Sequence, residues 1–246
     1  MAEARFAARH GWDRNFFLAF LLAGWAAIVV GFESSVRARY AGQADYPAPP
    51  ILQVHVFAFA GWMVMLGVQI GLARRGKLAW HRTTGALTLL LAPVMVVTAI
   101  GAEMASQRFY TPMFPENARL FIEPIVQMGV FATCVTAAIL LRRDPPAHKR
   151  LMLLATSAAL TAAYNRWWGA TLYEWYGDGF WGMIVHNYAG PDALMAALVA
   201  YDLATRRRVH RVYWIAVPLI LASQLVASAI YHSDAWPPLV DRMLGL

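Results

Sequence analysis

The sequence has little charge and almost no cysteine. Of its 246 residues only 14% are charged and 59% are hydrophobic, whereas a soluble domain carries about 25% charged residues. Because so few charges cannot cover a water-soluble surface, the composition predicts an integral membrane protein. The single cysteine, Cys134, excludes an intrachain disulfide. It lies inside an apolar run, and we interpret it as a buried, inert thiol.

The basic residues are in excess, but they do not form a patch. The formal net charge of +7 would suit nucleic acid if the arginines and lysines followed one face of the molecule. They fall instead in short clusters between long apolar runs, which is typical of membrane topology. The sequence therefore predicts the lipid bilayer as a partner and no nucleic acid.

Seven apolar stretches approach the ~20 helical residues that cross the hydrocarbon core of a bilayer. They predict an all-α fold, a polytopic membrane helical bundle of about seven transmembrane helices in a single domain, 1–246. The predicted helices are 15–33, 51–73, 85–105, 119–141, 151–168, 183–204 and 212–232. Asn165 and Arg166 interrupt the end of the fifth, and Gly190 with Pro191 predicts a kink in the sixth.

The distribution of lysine and arginine among the connections predicts the orientation of the bundle. Most of the 21 Lys and Arg residues belong to one side. These are Arg5, Arg9, Arg14, Arg74, Arg75, Lys77, Arg82, Arg142, Arg143, Lys149, Arg150, Arg206, Arg207, Arg208 and Arg211. With this side in the cytoplasm, the N-terminus is inside and seven crossings leave the C-terminus outside. The predicted location is the cell inner membrane.

Three of the predicted helices begin, on the cytoplasmic side, next to a histidine followed by a basic residue. These pairs are His81-Arg82, His148-Lys149 and His210-Arg211. One interpretation is a leading helix followed by three helical hairpins of similar plan. The alternative is that the basic residues only enforce topology.

Ionisable residues lie at one depth, near the outer end of each predicted helix. They are Glu33, His55, Glu103, Glu123, Arg166, His186 and His232. Such groups are costly inside a membrane and usually face the bundle interior, where they pair with one another. The sequence therefore predicts a polar chamber at the outer face. The alternative is that several of these side chains snorkel to the headgroups.

Helical phase extends this chamber along the second helix. His55, Trp62 and Gln69 are spaced seven residues apart, so they share one face of the helix. Glu123 and Gln127 share a face of the fourth helix for the same reason. Asp192 lies about 9 Å below His186 along the sixth helix, and we assign it to a deeper layer.

Metal or haem chemistry is the first function that fits such a chamber. Imidazole and carboxylate are the usual ligands of zinc and non-haem iron, so the chain is interpreted first as a metal-dependent membrane oxidoreductase. The candidate metal ligands are His55, Glu103, Glu123, His186 and His232. In a second version, His55 and His186 are axial ligands of haem b, and Arg166 meets its propionates.

Two other functions stay open. A proton-coupled transporter would use Glu103, Glu123 and Asp192 as proton carriers, with irregular backbone at Pro191 near its site. A non-catalytic assembly or accessory subunit is the third class, for which the sequence has no positive feature. Glu33, Trp62 and Gln69 complete the polar residues of the predicted chamber.

A second polar set lies at the cytoplasmic side. Its members are Gln69, His81, Arg82, His148, Arg150, Asp202 and His210. The simplest role is topological, with Asp202 pairing a neighbouring arginine. The alternative is that the basic members bind lipid headgroups, quinone or another small lipophilic molecule.

Short motifs stand in order along residues 51–215. They are His55 followed by Trp62 and Gln69, His81-Arg82-x-x-Gly85, the run His-Lys-Arg-Leu-Met-Leu-Leu-Ala-Thr at 148–156, and Tyr201-Asp202-Leu203. In these motifs the chain resembles an uncharacterised family of bacterial multi-helix integral membrane proteins. The resemblance implies a fold and a bacterial origin but no activity. Glu33, Glu103 and Glu123 lie outside its motifs.

Overall fold

The computed structural model describes residues 6–7 and 9–246; Arg5, assigned above to the cytoplasmic side, lies outside the described residues. The described chain is all-helical and contains no strand. Its helices are α1 (Asp13–Tyr40), α2 (Pro50–Arg74), α3 (Leu78–Gly85), α4 (Thr88–Tyr110), α5 (Ile122–Leu140), α6 (Pro145–Ala159), α7 (Thr161–Tyr176), α8 (Phe180–Arg206), α9 (Arg211–Tyr231) and α10 (Trp236–Leu244). A 3-10 helix, Pro115–Phe121, precedes α5.

Five helical stretches of the described chain are long and apolar enough to cross a membrane. They are Asp13–Tyr40, Pro50–Arg74, Leu78–Tyr110, Pro115–Leu140 and Arg211–Tyr231. The expectation of an all-helical protein with apolar helices of membrane length is therefore confirmed. The other two predicted spans, 151–168 and 183–204, fall on α6 with α7 and on α8, which carry more polar residues.

The fifth predicted helix is two helices in the structure, so the bounds 151–168 are wrong. α6 and α7 meet at Leu160. Before this junction the hydroxyls of Thr156 and Ser157 donate to the carbonyls four residues earlier, and such back-bonding bends helices. α8, in contrast, continues through Pro191 without interruption.

Glycines allow α1, α7 and α8 to pack closely. A Cβ atom added at Gly31 of α1 would clash with the carbonyl oxygen of Ala163 in α7. One added at Gly190 of α8 would clash with the Tyr164 side chain. Small residues let helix backbones approach each other in this way where no hydrophobic effect drives the helices together. α5 packs most extensively on α6, and α2 on α4.

The second helix presents the inward stripe that its sequence predicts. Trp62 is fully buried, and its Nε1 donates to the Thr156 hydroxyl of α6 at 3.1 Å. Its ring packs edge-on to Phe131 of α5, with 4.8 Å between the centroids. Seven residues further along α2, the amide of Gln69 contacts the Thr84 hydroxyl at 2.8 Å. The predicted interior position of Trp62 is confirmed.

Contacts between helix ends define the two ends of the bundle. At the predicted inner end, Asp13 of α1 meets Arg206 of α8, and Asp202 meets Arg150 of α6. At the predicted outer end, the 3-10 helix packs against α10, an element that the sequence analysis missed. The apolar face of α10 is only two turns long, so it gives little periodic signal.

Candidate functional site

The structure does not bring the predicted outer residues into one chamber. Glu33 is exposed on α1 and pairs with Arg37, with 3.4 Å between Oε1 and Nε. The prediction that Glu33 faces the interior is therefore wrong. The reason is its angle around α1: the neighbouring positions Ala27 and Gly31 are buried against other helices, and Glu33 is rotated away from them.

His232 is also placed differently from the prediction. Its Nδ1 lies 2.8 Å from the carbonyl oxygen of Ser228, and its Nε2 lies 2.9 Å from that of Asp178. Both ring nitrogens are therefore occupied by backbone carbonyls. A histidine binds a metal through one of these nitrogens, so His232 has none to offer in this arrangement.

Glu123 and Tyr188 form a hydrogen-bonded pair between α5 and α8 in the outer half. The Tyr188 hydroxyl of α8 donates to Oε1 of Glu123 in α5 at 2.8 Å, and the Tyr188 side chain is fully buried. Oε2 of Glu123 is buried and has no hydrogen-bond partner among the described residues. An ionised carboxylate is costly in such surroundings, so the charge of Glu123 depends on whether water or another donor reaches it.

Asp192 lies one helical turn from Tyr188 on the same side of α8, within electrostatic range of its hydroxyl. Its Oδ1 accepts a hydrogen bond of 2.7 Å from the Gln224 amide of α9. Asp192, Gln127 and Gln224 line a small cavity of about 10 Å³ next to Pro191, about the size that one water molecule needs. The pair Glu123–Tyr188 thus links α5 to α8, and the pair Asp192–Gln224 links α8 to α9.

A second group of residues lies around Arg166 of α7. It contains Phe32 of α1, whose ring centroid lies 4.8 Å from the guanidinium, and the predicted site residues His55 and Glu103. The Arg166 side chain is exposed at the surface of the described structure. It lies within electrostatic range of both the His55 ring and the Glu103 carboxylate.

His186 belongs to neither group. Its ring packs edge-on to Tyr173 of α7, with 5.7 Å between the centroids, and the charge that acts on it is that of Asp178. The ring of His55 packs instead against Phe59. Because the two imidazoles have different neighbours, the described contacts give no support to a haem held between them.

The described residues also do not form a metal site with several ligands. No group of three His, Cys, Asp or Glu side chains in this part of the chain is placed to hold a metal ion. Glu123 bonds to a tyrosine, and Glu103 accepts from Gln107 at 2.7 Å. The predicted ligands are therefore distributed over separate surroundings.

The predicted pairing of Asp202 with an arginine is confirmed at the inner end. Both Arg150 and Asp202 are buried, and Arg150 holds the carboxylate through two nitrogens, with Nε 2.8 Å from Oδ2. The backbone N–H of His210 donates to the same carboxylate at 3.2 Å. Asp13 accepts from Lys149 at 2.8 Å and from Arg206 at 2.9 Å.

Burial changes the titration of the histidine in this inner cluster. His210 caps α9, where its Nδ1 accepts from the N–H of Val212 at 3.3 Å, and its ring packs on Phe6. Burial, with the positive charge of Arg150 second, lowers the pKa of His210 to about 4. The imidazole is therefore neutral near neutral pH, as its acceptor role in the cap requires.

Sequence reasoning missed three residues that complete these groups. Tyr188 had a usable signal, since it lies four positions before Asp192 and so shares its helix face. Asp13 had none, because its partners are remote in the sequence: Tyr201 donates to Asp13 at 2.6 Å across the fold. Tyr46 lies in the loop before α2, and its Oη is buried without a hydrogen-bond partner among the described residues.

No protein-family model matches the chain, and no curated protein or solved structure is significantly similar to it.

Proposed function

We propose that the chain is a proton-coupled membrane transporter in which Glu123 and Asp192 carry the proton. The observation that carries the proposal is the presence of two hydrogen-bonded pairs, Glu123–Tyr188 and Asp192–Gln224, one helical turn apart on α8. Ionisable groups are kept inside membrane bundles mainly where ions or protons move. A carboxylate that is hydrogen-bonded to Tyr188 and a second carboxylate one helical turn further along α8 are a suitable arrangement for that task.

The geometry around Glu123 supports a role in proton exchange. Tyr188 can donate only one hydrogen bond, and it gives it to Oε1. The buried Oε2 has no partner among the described residues, so a small displacement of α8 that admitted water would change the free energy of ionisation. Protonation of Glu123 and helix movement are therefore coupled.

The surroundings of Asp192 support a path for that proton. Asp192 follows Pro191, which removes a backbone hydrogen bond from α8, and it borders the cavity of about 10 Å³. A water molecule there would have the side chains of Asp192, Gln127 and Gln224 as partners.

The proposal includes a topology of seven crossings. Five stretches are apolar enough by composition, and we infer that α6 with α7 forms one further crossing and α8 another. The N-terminus is then cytoplasmic and the C-terminus outside, in the inner membrane of a bacterium, in keeping with the family resemblance. Reporter fusions within 40–48, 109–117 and 172–180 are expected to report an outside location, and a cytoplasmic signal from any two would contradict this topology.

Proteoliposomes with an internal pH dye test the carrier function. A panel of organic acids, amino acids and sugars is added outside, and at least one solute is expected to drive proton entry through the wild-type protein. Glu123→Gln and Asp192→Asn are expected to abolish that flux, whereas the exposed control Glu33→Gln keeps it. Full flux in both buried variants, or no solute-driven flux in correctly inserted wild type, would reject the proposal.

A metal- or haem-dependent redox function stays a prediction. Metal analysis and an optical spectrum of the purified protein check it. A Soret band that is lost in His55→Ala or His186→Ala would support haem. A colourless, metal-free preparation that keeps solute-driven proton flux would remove both versions.

A further inference from the structure

Both ring nitrogens of His232 face groups that can only accept a hydrogen bond. Nδ1 lies 2.8 Å from the carbonyl oxygen of Ser228, and Nε2 lies 2.9 Å from that of Asp178. A carbonyl has no proton to donate, and a neutral imidazole has a single N–H. Both contacts are therefore hydrogen bonds only when each ring nitrogen carries a proton, that is, when His232 is an imidazolium.

The contact with Asp178 is the outermost of three hydrogen bonds between one face of α9 and α8 or the turn before it. Residues 224, 228 and 232 are spaced four apart, so their side chains share that face. We call the three contacts the α8–α9 zipper; from the outer end inwards they are His232 with the Asp178 carbonyl at 2.9 Å, Ser228 with the Phe180 carbonyl at 2.8 Å, and Gln224 with the Asp192 carboxylate at 2.7 Å.

The zipper lies between two spaces. His232, Asp178 and Tyr231 at its outer end line an open basin of about 280 Å³. Asp192 and Gln224 at its inner end line the cavity of about 10 Å³. Gln224 is eight residues before His232, which is about 12 Å along a helix. A separation of α8 and α9 over this length would bring water from the basin to the Asp192 carboxylate.

We propose, on the basis of the carrier function, that the α8–α9 zipper is the outer gate of the proton path to Asp192 and that the His232 imidazolium holds it closed. Loss of one ring proton leaves a nitrogen lone pair against a carbonyl oxygen, so that contact becomes repulsive. The closed zipper is therefore favoured at low pH and weakened as the pH rises between about 5 and 8, where histidines change charge. A proton that arrives from outside closes this side of the protein.

The charged and titratable groups around His232 come from each element that borders the basin. They are Asp178 of the turn before α8, Tyr231 of α9, Glu116 and Arg119 of the 3-10 helix, and Asp234 after α9. Arg119 pairs with two of the carboxylates, at 2.6 Å and 3.3 Å. Carboxylates thus outnumber guanidinium groups there, which suits a positively charged ring.

The charge of His232 is measured by ¹⁵N NMR of the purified full-length protein in nanodiscs, with labelled histidine rings. The spectrum of His232→Gln identifies the His232 signals. We expect two protonated ring nitrogens at about pH 5.5 and one at about pH 8. A ring with a single N–H throughout this interval would overturn the proposal.

Hydrogen–deuterium exchange of residues 224–232 in the same nanodiscs measures the opening. After correction for the intrinsic pH dependence of exchange, we expect exchange in the wild type to be at least about fivefold faster at about pH 8 than at about pH 5.5, since one hydrogen bond is lost. In His232→Gln the two rates are expected to be equal. The matched control is His186→Gln, whose ring packs on Tyr173 of α7, and it keeps the wild-type response.

Two further comparisons make this test independent of one variant. Ser228→Ala removes the middle bond of the zipper and is expected to speed the exchange of residues 224–232 at both pH values. Residues 124–140 of α5, which include no histidine, are expected to show no pH response in the wild type, and this internal reference decides if His232→Gln does not fold. Equal rates at both pH values in the wild type, or an unchanged response in His232→Gln, would reject the gate.

Failure of the gate and failure of the carrier function are distinguishable, because neither measurement uses transport. The expected NMR and exchange responses without solute-driven proton flux would support a pH-sensitive zipper and reject the carrier. Flux that needs Glu123 and Asp192, in a protein whose residues 224–232 exchange equally at both pH values, would support the carrier and reject the gate.

Discussion

The two ends of the bundle treat their charged groups differently. At the inner end, the carboxylates of Asp13 and Asp202 both accept from basic side chains. In the outer half, Tyr46, His55 and Glu123 each have a buried polar atom without a partner among the described residues. Paired charges hold the helices in fixed positions relative to one another. Buried polar atoms without a partner can still form a hydrogen bond, to a proton donor, a water molecule or a ligand. We therefore assign structure to the inner end and function to the outer half.

The largest effect is expected from disrupting the buried pair Arg150–Asp202 at the inner end, which tests whether this end is structural. Asp202→Asn leaves the Arg150 guanidinium buried without its counterion, and breaking a buried pair from one side costs about 3–5 kcal/mol. We expect a large loss of unfolding free energy, or loss of folded protein, in a detergent denaturation series. Glu33→Gln, which removes an exposed partner of Arg37, is expected to change stability by no more than ~1 kcal/mol.

Equal effects of Asp202→Asn and Glu33→Gln would break the comparison, since the inner cluster would then be no more structural than a surface pair. The double variant Arg150→Met with Asp202→Leu sharpens it. Replacing both buried charges by apolar groups is often tolerated, so we expect the double variant to be more stable than Asp202→Asn.

The next prediction concerns the close contact between α1 and α7 at Gly31. Gly31→Val places side-chain atoms against the Ala163 carbonyl, where even a Cβ clashes, and must separate α1 from α7. Overpacking of this kind costs about 1–3 kcal/mol. Thermal unfolding in detergent measures it, and Gly129→Val on α5, where a Cβ would meet open space, is the matched control. A Gly31→Val protein as stable as the Gly129→Val protein would contradict the close packing.

The positions of the long helices along the chain could be predicted from the sequence. The direction in which a given side chain projects from its helix could not. Apolar runs located the long helices because length and hydropathy are local properties, and a seven-residue spacing placed Trp62 correctly inside. Depth alone, however, put Glu33 and His232 in the predicted chamber. One is rotated to the exposed side of α1, and the other is held by the carbonyls of Ser228 and Asp178, which only the tertiary fold brings near.

The third prediction tests the functional side of the comparison. Tyr188→Phe removes the hydrogen bond to Glu123 and leaves both carboxylate oxygens unpartnered. We expect a stability loss of about 1–3 kcal/mol and a clear loss of solute-driven proton flux in proteoliposomes. Tyr176→Phe, at an exposed position of α7, should change neither. Normal flux in Tyr188→Phe would show that this hydroxyl is only structural.

The smallest expected effect is a pH dependence of stability that originates at the inner end. Burial and Arg150 lower the pKa of His210 to about 4 in the folded protein, from 6.5, so between these values the unfolded chain binds a proton that the folded chain does not. The linkage relation then makes unfolding free energy rise with pH. The contribution of His210 is fully present above about pH 6.5 and is lost as the pH falls toward about 4.

The variant His210→Asn isolates this contribution. Asparagine keeps an acceptor for the Val212 N–H but does not titrate, so the variant is expected to lose less stability than the wild type between about pH 6.5 and about 4. The other charged groups that act on His210 are Arg150, Asp202, Asp144 and Arg211, and they are present in both proteins. Parallel unfolding curves over that interval would show that His210 already accepts a proton in the folded state, and the inner end would then no longer be a purely structural cluster.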